Sequence, residues 1–263
     1  MRKAKKMKYS AYYKTSWHDT DANRIVRASK LITYLQETAN RQCEESGLPL
    51  EALRDERGLA FILANISLKI IRPLHAYEDI EVRTWCRPAK GYIFNRYFEI
   101  IRGGKIVAKA ATTWVLIDIK IKSMVRSEAY PDMHKHFFYD EPIPADEIPA
   151  KARIPKDAAL YEIGKRKIVY SDIDYNMHMN NTHYPDMICD FLEEMTSLAP
   201  TYTVSSMSLS YVKESPLGAT LSVCRSQMRE DGTIDVRTTN EDMQVCLEAT
   251  VQLARAETLE GKA

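Results

Sequence analysis

The sequence lacks an excess of charge of either sign: 37 Lys and Arg stand against 36 Asp and Glu in 263 residues, a formal +1. Proteins held mainly by contacts to phosphate backbones carry a larger basic excess, which argues against nucleic acid as a partner. It lacks any C-x-x-C pair. Its five cysteines, Cys43, Cys86, Cys189, Cys224 and Cys246, are scattered and odd in number, as expected of reduced and mostly buried thiols in an intracellular protein. It also lacks a long apolar run. The longest uncharged stretch, Thr196 to Val212, carries eight Ser/Thr hydroxyls and Pro200, and a membrane span needs about 20 mostly apolar residues. The basic start, Met1 to Lys8, has no apolar core of a secretory signal. A cytoplasmic protein without a membrane span is the expectation.

What is present is a globular composition, 45% hydrophobic and 28% charged, which excludes a disordered or fibrous chain. At about 150 residues per domain the length fits one large domain or two small ones. An internal repeat decides between them. Asp19-Thr-Asp21-Ala-Asn23 returns as Asp172-Ile-Asp174-Tyr-Asn176, and Ile66-Ser67-Leu68 returns in the same order as Met207-Ser208-Leu209. Each first motif follows a strand-like run, Lys8 to Trp17 or Arg166 to Ser171, and leads into a helical pattern. In the second copy Tyr184, Met187, Ile188, Phe191, Leu192 and Met195 form one apolar helix face, with Asn181 or Thr182 as cap and Pro200 beyond its end. The first copy is looser, with Leu31, Leu35, Ala39 and Gln42 on one side and Gly47 as the stop.

Period-two patterns follow both helices, as in Ile80-Val82-Thr84-Cys86 and Val245-Leu247-Ala249-Val251-Leu253, and Gly103-Gly104 and Asp231-Gly232 mark turns between strands. The expected organisation is a first unit over residues 1–119, a Pro-rich linker over 120–160 and a second unit over 161–263. Each unit is a strand, a long helix and about four antiparallel strands, an α+β arrangement in which a sheet wraps a central helix. Two such sheets can pair edge to edge within one chain, as a symmetric homodimer does with two; a homodimer of the whole chain stays open.

The segment Asp172 to Tyr184 concentrates polar side chains, and three chemistries compete for it. An EF-hand needs Gly and Glu where this chain has Met177 and His183, or Arg24 and Lys30 in the first copy, so calcium fails twice. A transition metal on Asp174, His178 and His183 lacks a fourth ligand and a shared helix face. The third is acyl transfer at a helix N-terminus. Backbone N–H groups just after Asn180 and Asn181 would stabilise an oxyanion, while Asn176 and His178 orient the carbonyl or a water and Asp174 orients them. Asp and Asn are also ordinary turn residues. That accounts for Asp172 and Asn181 but not for a histidine set between Asn176 and Asn180.

The string Asp174-x-Asn176-x-His178-x-Asn180-Asn181-x-x-Tyr184 resembles the signature of the acyl-acyl carrier protein thioesterases, and the bacterial branch in particular. Asp21 and Tyr34-Leu35-Gln36-Glu37 are similar to that family too, and the resemblance spans nearly the whole chain. It implies a tandem hot-dog fold and hydrolysis of the thioester between a fatty acyl chain and the phosphopantetheine arm of acyl carrier protein, with no metal or organic cofactor. It implies catalytic roles for Asp174, Asn176 and His178, and for Glu214 in Tyr211-Val-Lys213-Glu214-Ser215. Ser215 stands where plastid members have a cysteine, so a thiol nucleophile is out of reach. Glu214, if partly buried, would be a stronger base for an attacking water.

The first unit has Ile25 where the second has His178, so the second unit is expected to cleave and the first to hold the acyl chain, with Leu31, Leu35, Ala39, Ile66, Leu68 and Ile70 as lining. An acidic carrier needs a basic face, for which Arg24, Arg27 and Lys30, or Lys165-Arg166-Lys167, are candidates. An acyl-coenzyme A thioesterase of the same fold, a hydratase and a non-catalytic acyl-binding module are the alternatives.

Overall fold

The computed structural model describes residues 8–197 and 201–260; the basic residues 1–7 and Pro200 lie outside them. The first unit runs β1 (Tyr9–Lys14), α1 (Ala28–Glu45), α2 (Leu50–Asp55), β2 (Leu59–Ile70), β3 (Asp79–Cys86), β4 (Ile93–Arg102), β5 (Lys105–Asp118) and β6 (Ser123–Met124). The second runs β7 (Tyr161–Lys167), α3 (Tyr184–Phe191), α4 (Glu193–Thr196), β8 (Tyr202–Tyr211), β9 (Thr220–Arg225), β10 (Thr233–Thr239), β11 (Val245–Arg255) and α5 (Ala256–Glu260). All strands join one antiparallel sheet in the order β1-β3-β4-β5-β2-β8-β11-β10-β9-β7, with β6 beside β5.

The centre of that order is the contact between β2 and β8. Its register sets Ser67 opposite Ser208, Ile66 opposite Leu209 and Leu68 opposite Met207. These are the repeated triplets: Ser67 faces its own repeat, and Ile66 and Leu68 each face the repeat of the other, which is what a two-fold axis through the serine pair requires. The two buried hydroxyls hydrogen-bond each other at 3.0 Å. The tandem hot-dog is therefore an isologous dimer interface built into one chain.

Helix α1 buries Leu31, Ile32, Leu35 and Ala39 against the inward faces of β2, β3 and β4. It stops where expected: Gly47 takes φ +82°, and Leu48 N–H donates back to Cys43. The second helix departs from expectation. Its apolar face continues to Met195, but the helix breaks at Leu192, whose ψ of 114° is extended. The break turns Glu194 onto the buried Arg225, with two hydrogen bonds of 2.8 Å, so a buried ion pair overrides helical periodicity. The strands entering both motifs also end sooner than expected, β1 at Lys14 and β7 at Lys167, each followed by one 3₁₀ turn at Trp17–Asp19 and Tyr170–Asp172.

Gly103 and Gly104, at φ +55° and +76°, close the two-residue hairpin between β4 and β5. Asp231-Gly232 instead ends a longer loop before β10. The segment between the units is no plain surface strap. Its Met133 and Phe137 join Cys43, Leu48, Leu53, Leu59, Cys86 and Leu116 in a second core cluster, and its Ala152 and Ile154 are buried at the second unit, bonded to Ser210 and Arg237.

Removing either central hydroxyl leaves the other buried without its partner. Ser67→Ala and Ser208→Ala should each destabilise by about 1–3 kcal/mol, and the double variant by less than the sum. Urea unfolding of the four proteins measures this; strict additivity would show that the two hydroxyls do not depend on each other.

Candidate active site

Both D-x-D-x-N motifs fold into the same loop. Asp21 Oδ1 accepts the backbone N–H of Asn23 at 2.8 Å, and Asp174 Oδ1 accepts that of Asn176 at 2.8 Å. Arg24 and Met177 occupy the tight corners at φ +63° and +65°. Asp21 N–H donates to Ile25 O and Asp174 N–H to His178 O; Arg27 N–H donates to Asp19 O and Asn180 N–H to Asp172 O. Ile25 thus occupies the place of His178, as the alignment requires. The repetition also reveals what Asp174 does here. Its carboxylate organises the loop backbone, as Asp21 does in a loop without histidine, and it does not reach the side chains of Asn176 or His178 by any hydrogen bond among the described residues.

The loops differ in what meets them. The segment after β8 runs alongside the second loop: Met179 N–H donates to Ser215 O at 2.8 Å and Leu217 N–H to Met177 O. This pairing brings His178 Nε2 to 3.7 Å from Glu214 Oε1. That is too long for a direct hydrogen bond and short enough for one water to contact both groups. Glu214 is not partly buried as expected, since its side chain is 66% exposed because it lies at the rim, beyond the end of β8. Ser215 is buried and accepts the Tyr184 hydroxyl at 3.0 Å, a structural place with no path for attack on a substrate. Burial pushes the Tyr184 hydroxyl up to about 12, so it stays a neutral donor.

The remaining contact comes from the first unit. Arg54, on α2, donates to Asn176 Oδ1 at 2.7 Å and lies over the Tyr175 ring. That contact, made by Nη1, fixes which end of the carboxamide is oxygen. In the first copy Asn23 donates its amide NH₂ to Tyr202 O at 2.9 Å. Among the described residues the Asn176 NH₂ has no partner, so it keeps both donors where Asn23 keeps one.

The helix starts later than expected, since α3 begins at Tyr184 rather than after Asn180 and Asn181, and Pro185 brings no donor to its first turn. Residues 180–183 make a turn in which Asn180 Oδ1 accepts Thr182 N–H and Oγ1–H, while Asn181 O accepts the Tyr211 hydroxyl.

Beside α2 lies an apolar cleft of about 50 Å³, lined by Ala39, Leu50, Phe61, Phe94, Trp114 and Phe137 among others, with Arg87, Arg96, Cys43 and Cys86 in its wall. Of the expected lining only Ala39 takes part. Leu31, Leu35, Ile66 and Leu68 are sealed in solid core, and Ile70 borders a separate cleft. The reason is position along α1. Its N-terminal half presents an unbroken apolar stripe that the sheet covers, whereas its C-terminal half presents small or polar residues, Ala39, Asn40 and Gln42, which leave room. Leu50, one helical turn before Arg54 on α2, lines the cleft, and all of its lining belongs to the first unit and the connecting segment.

The basic candidates separate in space. Arg24, Arg27 and Lys30 surround the first loop, which meets the start of β8 at Tyr202, while the second loop meets the segment beyond its end. Arg27 Nη1 is 3.9 Å from Asp186. Arg166 binds Asp172 at 2.6 Å, but Lys165 and Lys167 are exposed on β7, whose end is tied to Gly218 and Ala219 beside the second loop. Around that loop Tyr170, Tyr175, Met177, Val212 and Leu217 stand exposed. Sequence reasoning missed Arg54 and most of the cleft, because an arginine on a short helix and aromatics from four separate segments share no local pattern; Arg54 only becomes visible once two units are docked.

The chain was compared with known proteins. The family model for the acyl-ACP thioesterase N-terminal domain matches residues 6–132 and that for the C-terminal domain residues 156–255. Curated relatives include oleoyl-acyl carrier protein thioesterase 2 of Arabidopsis thaliana, chloroplastic, 21% identical over 85% of this chain and 60% of that protein. The chloroplastic palmitoyl-acyl carrier protein thioesterase of Cuphea hookeriana is 22% identical over 75% of this chain and 49% of that protein. The chain thus spans half to three-fifths of the length of these relatives. An acyl-ACP thioesterase crystal structure from Bacteroides thetaiotaomicron superposes with a TM-score of 0.80 at 21% identity, covering 93% of this chain and 97% of that one. The 12:0-ACP thioesterase of Umbellularia californica gives 0.80 at 15% identity, covering 94% and 97%. With both domain models matched in order along most of its length, the chain belongs to the acyl-ACP thioesterase family.

Proposed function

We propose that the protein hydrolyses the thioester of a fatty acyl chain carried on the phosphopantetheine arm of acyl carrier protein, releasing the free acid and the carrier thiol. The observation that carries this reading is the meeting of His178, Glu214 and the Arg54-held Asn176 at the second loop, with an apolar cleft in the first unit that supplies Arg54. The relatives' names support the carrier-bound substrate. The thioester carbonyl takes the Asn176 amide NH₂, and a water contacts both His178 and Glu214. Glu214 accepts a proton as the water oxygen attacks the carbonyl carbon. Collapse of the tetrahedral intermediate breaks the C–S bond, and the thiolate leaves with that proton. Nothing in this sequence calls on a metal or an organic cofactor. Five unpaired thiols support a cytoplasmic setting, and no helix among the described residues is long and apolar enough to cross a membrane.

Glu214→Gln should lower kcat by roughly 10²–10⁴ with KM little changed, as measured by thiol release from acyl-carrier substrate. Wild-type turnover in that variant would remove Glu214 from the mechanism.

The exposed apolar rim around Met177 and Leu217, flanked by Lys165 and Lys167, is the face we assign to the carrier in preference to Arg24, Arg27 and Lys30. Charge reversal at Lys165 and Lys167 should raise KM for acyl-carrier substrate more than for acyl-coenzyme A, with the gap closing in high salt. If reversal at Arg24 and Lys30 does this instead, docking belongs to the first loop. If neither pair separates the two substrates, coenzyme A thioesters become the better reading.

The first unit is the acyl-binding unit. Ala39→Phe should fill the cleft and shift released acids toward shorter chains, whereas Leu35→Met, in sealed core, should leave product length alone. Gas chromatography of the acids released from a mixed acyl pool decides between them; an unchanged profile in Ala39→Phe would place the acyl chain elsewhere.

A further inference from the structure

Two arginines are buried in this molecule, and they are treated differently. Arg225, 2% exposed, has its charge met by Glu194 through two hydrogen bonds of 2.8 Å. Arg96, 6% exposed, projects from β4 into the interior of the first unit and has no carboxylate within ion-pair distance among the described residues. Its partners are neutral: Gln42 Oε1 at 2.8 Å, Thr84 Oγ1 at 3.3 Å, Cys43 Sγ at 3.9 Å and the Phe137 ring face at 5.7 Å.

Nearby acidic groups do not supply the missing charge. Burial pushes the Cys43 and Cys86 thiols up, against the lowering pull of Arg96. It holds the Tyr139 hydroxyl at about 12. All three stay neutral at physiological pH. A buried charge answered only by dipoles is costly to fold around and is normally paired. Chain-internal packing gives no reason for it, because the neighbouring inward positions Phe98 and Ile100 on β4 are apolar.

Arg96 does, however, line the acyl cleft. Phe94, two residues earlier on the same strand face, also lines it, about 7 Å away along the strand. Arg87 and two asparagines line it too, but Arg87 is paired with Glu141, so a chain passing Leu50 and Phe94 would meet in Arg96 a cation with no carboxylate of its own.

We infer that the cleft contains a polar subsite built on Arg96, and that the preferred acyl chain carries an oxygen acceptor at its remote end, a carboxylate above all, a hydroxyl next. The inference rests on the cleft being the acyl site. A plain methyl-ended chain would leave the guanidinium desolvated without gain, whereas an oxygen acceptor would gain a charge-assisted hydrogen bond in a low-dielectric setting. The selectivity is therefore by chemistry as well as by length.

The test is made by binding, which needs no turnover. Three ligand series of matched chain length are titrated against the intact protein by tryptophan fluorescence, Trp114 being in the cleft wall: methyl esters of plain fatty acids, methyl esters of ω-hydroxy acids, and monomethyl esters of dicarboxylic acids. At the matching length the wild type should bind the carboxylate-ended ligand at least about tenfold more tightly than the methyl-ended one, with the hydroxyl-ended ligand between. Arg96→Met should bring the three together and Arg96→Lys should keep part of the order. A wild type that binds methyl-ended ligands as well as or better than the other two at every length overturns the subsite, whether or not Arg96→Met folds. So does a folded Arg96→Met that keeps the wild-type order. Thiol release from the corresponding acyl-coenzyme A and acyl-carrier thioesters is read alongside. Its loss on every thioester with the binding order intact sinks the hydrolase reading and leaves the subsite standing.

Discussion

The pairing of β2 with β8 through Ser67 and Ser208 determines where everything else in the molecule falls. Because the strands are antiparallel about that pair, the two repeated loops are sent to opposite ends of the seam. Each loop is consequently met by backbone or side chains of the other unit: Asn23 by Tyr202, Asn176 by Arg54. A site on such a loop cannot be completed within one unit. It depends on the seam as directly as a dimer's shared site depends on its interface.

The two loops form a control experiment within one chain. What they share is structure: the Asp carboxylate on the Asn N–H, the positive-φ corner, and the backbone bonds that return the chain to its helix. What they do not share is available for chemistry: His178 against Ile25, an Asn176 amide NH₂ held by no partner among the described residues against an Asn23 NH₂ bonded to Tyr202 O, and Glu214 beyond β8. By this separation Asp174 holds the loop backbone, and His178, Asn176 and Glu214 are what the second loop has that the first lacks. The asymmetry behind it can be located. Asn23 and Asn176 are 153 residues apart, whereas Ser67 and Ser208 are 141 apart, so the first unit holds 12 extra residues between loop and seam. They include α2, which supplies both Leu50 to the cleft and Arg54 to Asn176.

Much of this was legible in the chain before any coordinates. The D-x-D-x-N repeat and the serine triplets specified two equivalent units, and their register at the seam is what that equivalence demands. Period-two patterns located the strands because one face of each is buried. The losses have distinct physical causes. The second helix was read as continuous because periodicity registers an apolar face and not the pull of Arg225 on Glu194. The acyl lining was assigned to Leu31, Leu35, Ile66 and Leu68 because hydrophobicity marks both solid core and cleft, and cannot tell a sealed stripe from an open one. Glu214 could be placed beside the second loop by resemblance, but its exposure depends on where β8 ends.

The contrast between the units follows from how each interior is closed. In the second, Leu192 stands at the position equivalent to Ala39, is fully buried, and breaks the helix so that Glu194 can neutralise Arg225. Size and charge are both settled from within. In the first, Ala39 is small, the helix runs on to Glu45, and the space beyond is only partly filled by Met133 and Phe137 from the connecting segment. Size and charge are both left open there, as a cleft and as an unpaired guanidinium in its wall. Two vacancies of complementary kind in one place are hard to derive from packing alone. They are what a unit would retain if its final partner were a ligand.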